Sequence, residues 1–149
     1  MSPIMSADPI TELEAELADT WRRGRNRTRS RAHAIDPRLD PSAYPVITIL
    51  AGHESLPMSR LVHELGLDKS TVTRQVDAVV RLGLVERSPD PHDARARVVR
   101  LTDAGRSRYD EVVASSVVEW RKRLAEWDPE DIRTLTDLLH RLSDDTDDA

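Results

Sequence analysis

Cysteine is absent from the 149 residues. Disulfides, thiolate metal ligands and thiol-based redox sensing are thereby excluded. Phenylalanine is absent as well, and three Trp and two Tyr are the whole aromatic complement, so a site built on stacking has few side chains to draw on. No apolar run approaches the ~18 residues of a membrane-spanning helix. The opening MSPIMSADPITELEAELADT has neither the basic start nor the apolar stretch of an export signal, so a cytoplasmic location with no membrane partner is expected. There is no glycine-rich phosphate loop, no Ser-His-Asp set in a recognisable setting and no metal motif. His33, His53, His63, His92 and His140 are scattered without ligand spacing. No enzyme activity, cofactor or metal is expected.

What the sequence does have is charge and helical periodicity. Charged residues make up 33% of the chain, and the apolar residues fall in periodic runs, the pattern of a helix-rich protein with one core. The formal net charge of −5 argues against a nucleic-acid partner, because phosphates are neutralised by Lys and Arg. The distribution of charge outweighs the sum. Between Pro57 and Tyr109 ten Lys/Arg stand against seven Asp/Glu, whereas Asp144, Asp145, Asp147 and Asp148 crowd the end. The middle is basic and the end acidic.

Ile10, Leu13, Leu17, Trp21, Gly24, Thr28, Ala32 and Ile35 recur at spacings of three and four, which predicts one long helix over 10–36 after a flexible 1–9. Asp36-Pro37 ends it, since a residue before proline avoids helical geometry. Arg22 to Arg31 spread around that helix without interleaved aromatics, so they read as a solvated face or as salt-bridge partners of the acidic end. A second helix starts near Asp40 or Ser42, with Asp40 as N-cap and Pro41 at the first helical position. Leu61, Val62 and Leu65 then mark a short helix closed by Gly66, and Val72, Val76, Val79 and Leu82 mark another that follows the N-cap candidate Asp68 and ends at Gly83. Two short helices joined by a tight glycine turn form a helix-turn-helix. Strand-like segments at Leu84 to Arg87 and Arg97 to Leu101 flank the turn-rich SPDPHDARA, which predicts a β-hairpin wing. Thr102 caps a long helix with Tyr109, Val112, Val113, Ser116, Trp120, Leu124 and Trp127 on its inner face. Asp128-Pro129 opens a last one carrying Ile132, Leu135, Leu138, Leu139 and Leu142. The fold class is mainly α with a small β-hairpin wing: a winged helix-turn-helix lobe over 40–102, terminal helices over 10–36 and 103–143, and an acidic tail over 144–149.

With Val72, Val76 and Val79 turned to the core, Ser70, Thr71, Thr73, Arg74 and Gln75 are expected on the outer face of the second motif helix, near the end that enters the major groove. Hydroxyls reach phosphates or base edges, Gln bridges adenine N6 and N7, Arg pairs with guanine O6 and N7, and Lys69 lies within reach of phosphate. The alternative is that a Ser/Thr-rich first turn only caps its helix. In the wing, Arg87 and Arg97 flank a tip where Arg95 is placed to enter a narrow minor groove, with Asp93 positioned to hold Arg95 by a charge-assisted hydrogen bond. An ordinary polar hairpin tip is the alternative there.

The run LDKSTVTRQVDAVVRLGLVERSPDPHDARARVVRLTDAGR closely resembles the recognition helix and wing of the MarR family of bacterial transcription regulators. The markers are Ser-Thr-Val-Thr-Arg, Gly-Leu-Val-Glu-Arg, the Asp-x-Arg tip at Asp93 and Arg95, and Leu101-Thr102 leading to Gly105. The resemblance implies sequence-specific binding of double-stranded DNA at a near-palindrome by an obligate homodimer, whose terminal helices interlock, and a repressor function. It also implies a small-molecule effector, because relatives often hold aromatic acids or phenols in a cleft between dimer helices and DNA-binding lobe. Trp21, Tyr44 and Trp120, with Trp127, are the residues available to line such a pocket, though such side chains are more often simply core or dimer seam. A rival class is a winged helix used only for protein contacts. It would carry apolar anchors on the outer face of the recognition helix, where this chain has hydroxyls, Arg74 and Gln75.

Overall fold

The computed structural model describes residues 8–147, with side chains through residue 144. The first helix, α1, spans Pro9–Ile35 with proline in its first turn. It stops at Asp36, whose extended backbone (φ −154°, ψ 129°) breaks the helical path before Pro37. Asp40 accepts a hydrogen bond from the Ser42 amide at 2.8 Å and caps a single 3-10 turn, Pro41–Ala43. The α-helix α2 then covers Tyr44–Ala51, because Pro45 needs no amide partner in a first helical turn.

The helix-turn-helix consists of α3, Met58–Leu65, and α4, Lys69–Arg81. Gly66 closes α3 in the left-handed region at φ 62°, which a residue with a Cβ adopts only at a cost. At the end of α4, Gly83 at φ 73° donates to the Val80 carbonyl and the Leu84 amide returns to the Val79 carbonyl. This closure turns the chain into the wing.

The expected hairpin is present as two neighbouring strands of a three-stranded sheet. Strands β1 (Leu56–Pro57), β2 (Val85–Pro89) and β3 (Arg97–Leu101) lie in the order β1-β3-β2, all antiparallel. A two-residue strand has too little alternation to be read from sequence. The strand β2 also runs two residues past Arg87, to Pro89, which an edge strand tolerates. The helix α5 spans Asp103–Leu124 and α6 spans Pro129–Asp147. Residues 144–147 therefore continue a helix instead of starting a separate tail; 148–149, like 1–7 of the expected flexible start, lie outside the described residues.

The chain forms two compact units that divide within α5, at Val112 and Val113. In the first, Ala32, Ile35, Ile47, Leu50, Leu61, Val72, Val76, Val79, Leu84 and Val99 are buried in one core. Its buried charge is Asp36, paired with Arg38 at 2.9 Å and with Arg108 of α5 at 3.2 Å. In the second, no side chain from 113 to 144 is buried, and Trp120, Trp127, Leu135, Leu138, Leu139 and Leu142 are exposed. Ile10, Leu13 and Trp21 on α1 are exposed as well. None of the described helices is long and apolar enough to cross a membrane.

Candidate nucleic-acid interface

The N-terminus of α4 is organised around Asp68. Its carboxylate accepts hydrogen bonds from the Thr71 amide at 2.9 Å, the Ser70 hydroxyl at 2.5 Å and the Thr71 hydroxyl at 2.6 Å. These donors, the Ser70 hydroxyl foremost, hold the Asp68 carboxyl well below the usual carboxylate range. The hydroxyls thus both cap the helix and lie on its exposed surface, so the capping reading and the contact reading apply to the same atoms. The Thr73 hydroxyl donates to the Lys69 carbonyl at 2.8 Å, and Arg74 donates to the Thr71 hydroxyl at 3.3 Å. Lys69, Ser70 and Arg74 are exposed, Thr71 and Thr73 half-buried.

Gln75 departs from the expectation. It sits one position before buried Val76, on the flank of the helix, and its Oε1 is buried without a hydrogen-bond partner. The residue as a whole is half-buried, with that oxygen on the core side because its helical position lies closer to the valine stripe than to the outer face.

At the tip of the wing, Asp93 holds Arg95 by the expected charge-assisted hydrogen bond, made to the backbone amide and not to the guanidinium. Its carboxylate accepts from the Arg95 backbone amide at 3.0 Å, and its carbonyl accepts from the Ala96 amide at 2.9 Å. Asp93 therefore shapes the turn, as short carboxylates do, and the Arg95 guanidinium is left exposed. Among the described residues neither Arg95 nor Arg97 has an ion pair. Arg87 does, reaching Asp77 on α4 at 2.6 Å. Farther down the ladder Arg100 pairs across strands with Glu86 at 2.5 Å.

The sequence reading missed Asp77 as a partner, since nothing local marks a residue ten positions before the arginine it meets. It also missed why glycine is needed at 105. The Thr102 hydroxyl donates to the Gly83 carbonyl at 2.6 Å and accepts from the Gly105 amide at 3.0 Å. This draws α5 so close to the wing base that a Cβ on Gly105 would overlap the Leu84 carbonyl.

Of the residues expected to line a ligand pocket, the two in the first unit, Trp21 and Tyr44, do not share a cavity. Trp21 lines an open groove of about 700 Å³ with Thr20, Gly24, Thr28, Pro41 and Ser42. Tyr44 is not among its walls; it belongs to the core, where burial raises its phenol pKa against the opposing influence of Arg31. Trp120 is exposed in the second unit. No group of three His, Asp or Glu among the described residues is placed to hold a metal ion.

Comparison with known proteins places these features. Residues 39–96 match a family model described as MarR family. An uncharacterized HTH-type transcriptional regulator of Bacillus subtilis, YdgJ, is 30% identical over 104 residues, 70% of this chain and 63% of its own length. The chain thus spans less than two thirds of that relative. Among solved structures, Rv1404 of Mycobacterium tuberculosis superposes with a TM-score of 0.78 at 20% identity, covering 95% of this chain and 97% of the other. A mutant MarR of E. coli complexed with operator DNA gives 0.65 at 20% identity, covering 91% and 99%. At these identities the superpositions show the fold, a helical protein with a small three-stranded wing.

Proposed function

We propose, from the match of residues 39–96 to a MarR family model and the 30% identity to YdgJ, that the chain is a winged helix-turn-helix transcription regulator of that family, which binds double-stranded DNA as a homodimer and represses transcription by occluding a promoter. The observation that carries this reading is the surface of the lobe. Lys69, Ser70, Thr71, Thr73 and Arg74 lie at the N-terminal end of α4, and the same unit presents a wing whose Arg95 and Arg97 have no ion pair among the described residues. Helix-turn-helix proteins insert that end of the second helix into the major groove. An arginine at a hairpin tip suits the negative, narrow minor groove beside it. Lys69 and Arg97 neutralise phosphate, Arg74 reads guanine, and Arg95 occupies the minor groove.

The apolar side chains left exposed on α1, α5 and α6 support dimerisation through 10–36 and 103–143. Two copies then place their α4 helices in successive major grooves, about one helical turn apart. A small-molecule effector acts by favouring a dimer whose spacing no longer fits the operator, and the groove beside Trp21 is its candidate seat. DNA as the target makes the cytoplasm the place of action.

Selection of bound sequences from a random duplex library tests this, with the purified protein at about 0.15 M salt, where non-specific binding is micromolar or weaker. Enrichment of a near-palindrome is expected. A folded dimer that enriches nothing overturns DNA recognition and leaves a protein-contact module.

A further inference from the structure

Arg87 has the composition of a phosphate contact and the geometry of something else. Its guanidinium lies 2.6 Å from the Asp77 carboxylate, and the two side chains retain 32% and 40% of their exposure. Among the described residues this is the ion pair that joins the recognition helix to the wing. We propose that Asp77 and Arg87 are positioning residues that fix the angle of the wing against α4, and so set where Arg95 falls relative to Arg74. The proposal rests on the DNA-binding reading for its consequence, though not for the clamp itself.

The need for a clamp follows from how the wing is held. Its base is secured by buried Leu84, Val85, Val99 and Leu101. Beyond Val98 that anchorage ends. Pro89 brings no amide to its pairing with Arg97, and the tip is tied mainly to itself, by Asp90 to Ala96 and Asp93 to Ala96 backbone hydrogen bonds of 3.0 and 2.9 Å. A two-stranded ribbon outside the core bends easily. Arg87 sits where the anchored base gives way to this outer half, and Asp77 is the point on α4 that it grips. Glu86 does not compete for Arg87, because it is engaged across the ladder by Arg100. A pair this exposed adds little to global stability, so its value lies in direction, which a hairpin magnifies toward its tip.

The experiment uses the full chain as wild type, Asp77→Ala, Arg87→Ala and the double variant, each with and without Arg95→Ala. In the DNA-free proteins, amide hydrogen exchange over 88–97 is expected to accelerate in both single variants, with little change in the unfolding midpoint. On the selected operator, each single variant is expected to bind about tenfold more weakly, the loss of one good groove contact, and the double no more weakly than either. Arg95→Ala should cost affinity in the wild type and nothing further once Asp77 is gone, a coupling that simple destabilisation does not produce. Unchanged exchange over 88–97 overturns the clamp whether or not the protein binds DNA. If Arg87→Ala lowers affinity and reduces the salt slope by about one while Asp77→Ala does neither, Arg87 touches phosphate and the assignment is wrong. A wild type that selects no sequence sinks the DNA reading, and the exchange result then decides the clamp alone.

Discussion

Asp36 stands out among the residues for being a carboxylate at the edge of an apolar core. The Arg38 amide reaches it at 2.8 Å, Arg38 Nε at 3.1 Å, and Arg108 from α5 at 3.2 Å. These partners, the Arg38 side chain first, outweigh the opposing effect of burial and hold its carboxyl well below the usual range. A depressed folded-state pKa contributes stability that is fully present above the unfolded value near 4 and is lost as pH falls toward the folded value. Asp36→Asn should therefore lower stability by about 1–3 kcal/mol at pH 7, the scale for buried hydrogen bonds to charge. The lower end is expected because both arginines are partly exposed. Urea midpoints measured from pH 7 to pH 3 check this: the gap from wild type should narrow below about pH 4, and a gap independent of pH would contradict the ion-pair account. Gln75 shows the opposite lesson at the same scale. Its residue type invited a base contact, yet its place beside Val76 turned Oε1 inward, and side-chain direction depends on packing that residue type does not encode.

Among the elements, α5 makes a close approach to the wing base at Gly105. The Leu84 carbonyl accepts from the Thr102 amide at 3.0 Å, and Gly105 lies against the same carbonyl with no room for a methyl group. Gly105→Ala must push α5 off the sheet or distort the ladder. We expect a loss of about 3 kcal/mol, the upper end for overpacking, read as a lowered urea midpoint in circular dichroism; a change within about 0.5 kcal/mol would mean that the close approach does not exist. The elements themselves were largely legible, and for identifiable reasons. The α1 stripe, the Gly66 turn, the Asp68 cap and the valines of α4 are local signals with a fixed period. What escaped was non-local: β1, which exists only because β3 pairs with it; Asp77, which matters only because Arg87 folds back to it; and the crowding at Gly105. The recognition surface was legible by composition, while its internal wiring, Asp68 to the hydroxyls and Asp93 to a backbone amide, required geometry.

For the whole molecule, the unresolved surface is the apolar one. The helix α6 is 19 residues long, and helices in proteins owe most of their stability to the packing of an amphipathic face. Leu135, Leu138, Leu139 and Leu142 all face solvent in the single chain, as do Trp120 and Trp127. Exposed apolar groups of this number mark an interaction surface, and in the homodimer we propose a second copy covers it. Charging the middle of that face should therefore separate the subunits while leaving the lobe intact, since the lobe core contains none of these leucines. In Leu138→Glu/Leu142→Glu, sedimentation equilibrium is expected to show a monomer at concentrations where the wild type is dimeric. Operator affinity should fall by at least about a hundredfold because the second half-site loses its tethered partner. Non-specific binding per lobe should change far less, because Lys69, Arg74, Arg95 and Arg97 remain in place. A variant that stays dimeric would move the interface off α6, and one that turns monomeric yet keeps full operator affinity would show that a single lobe carries recognition.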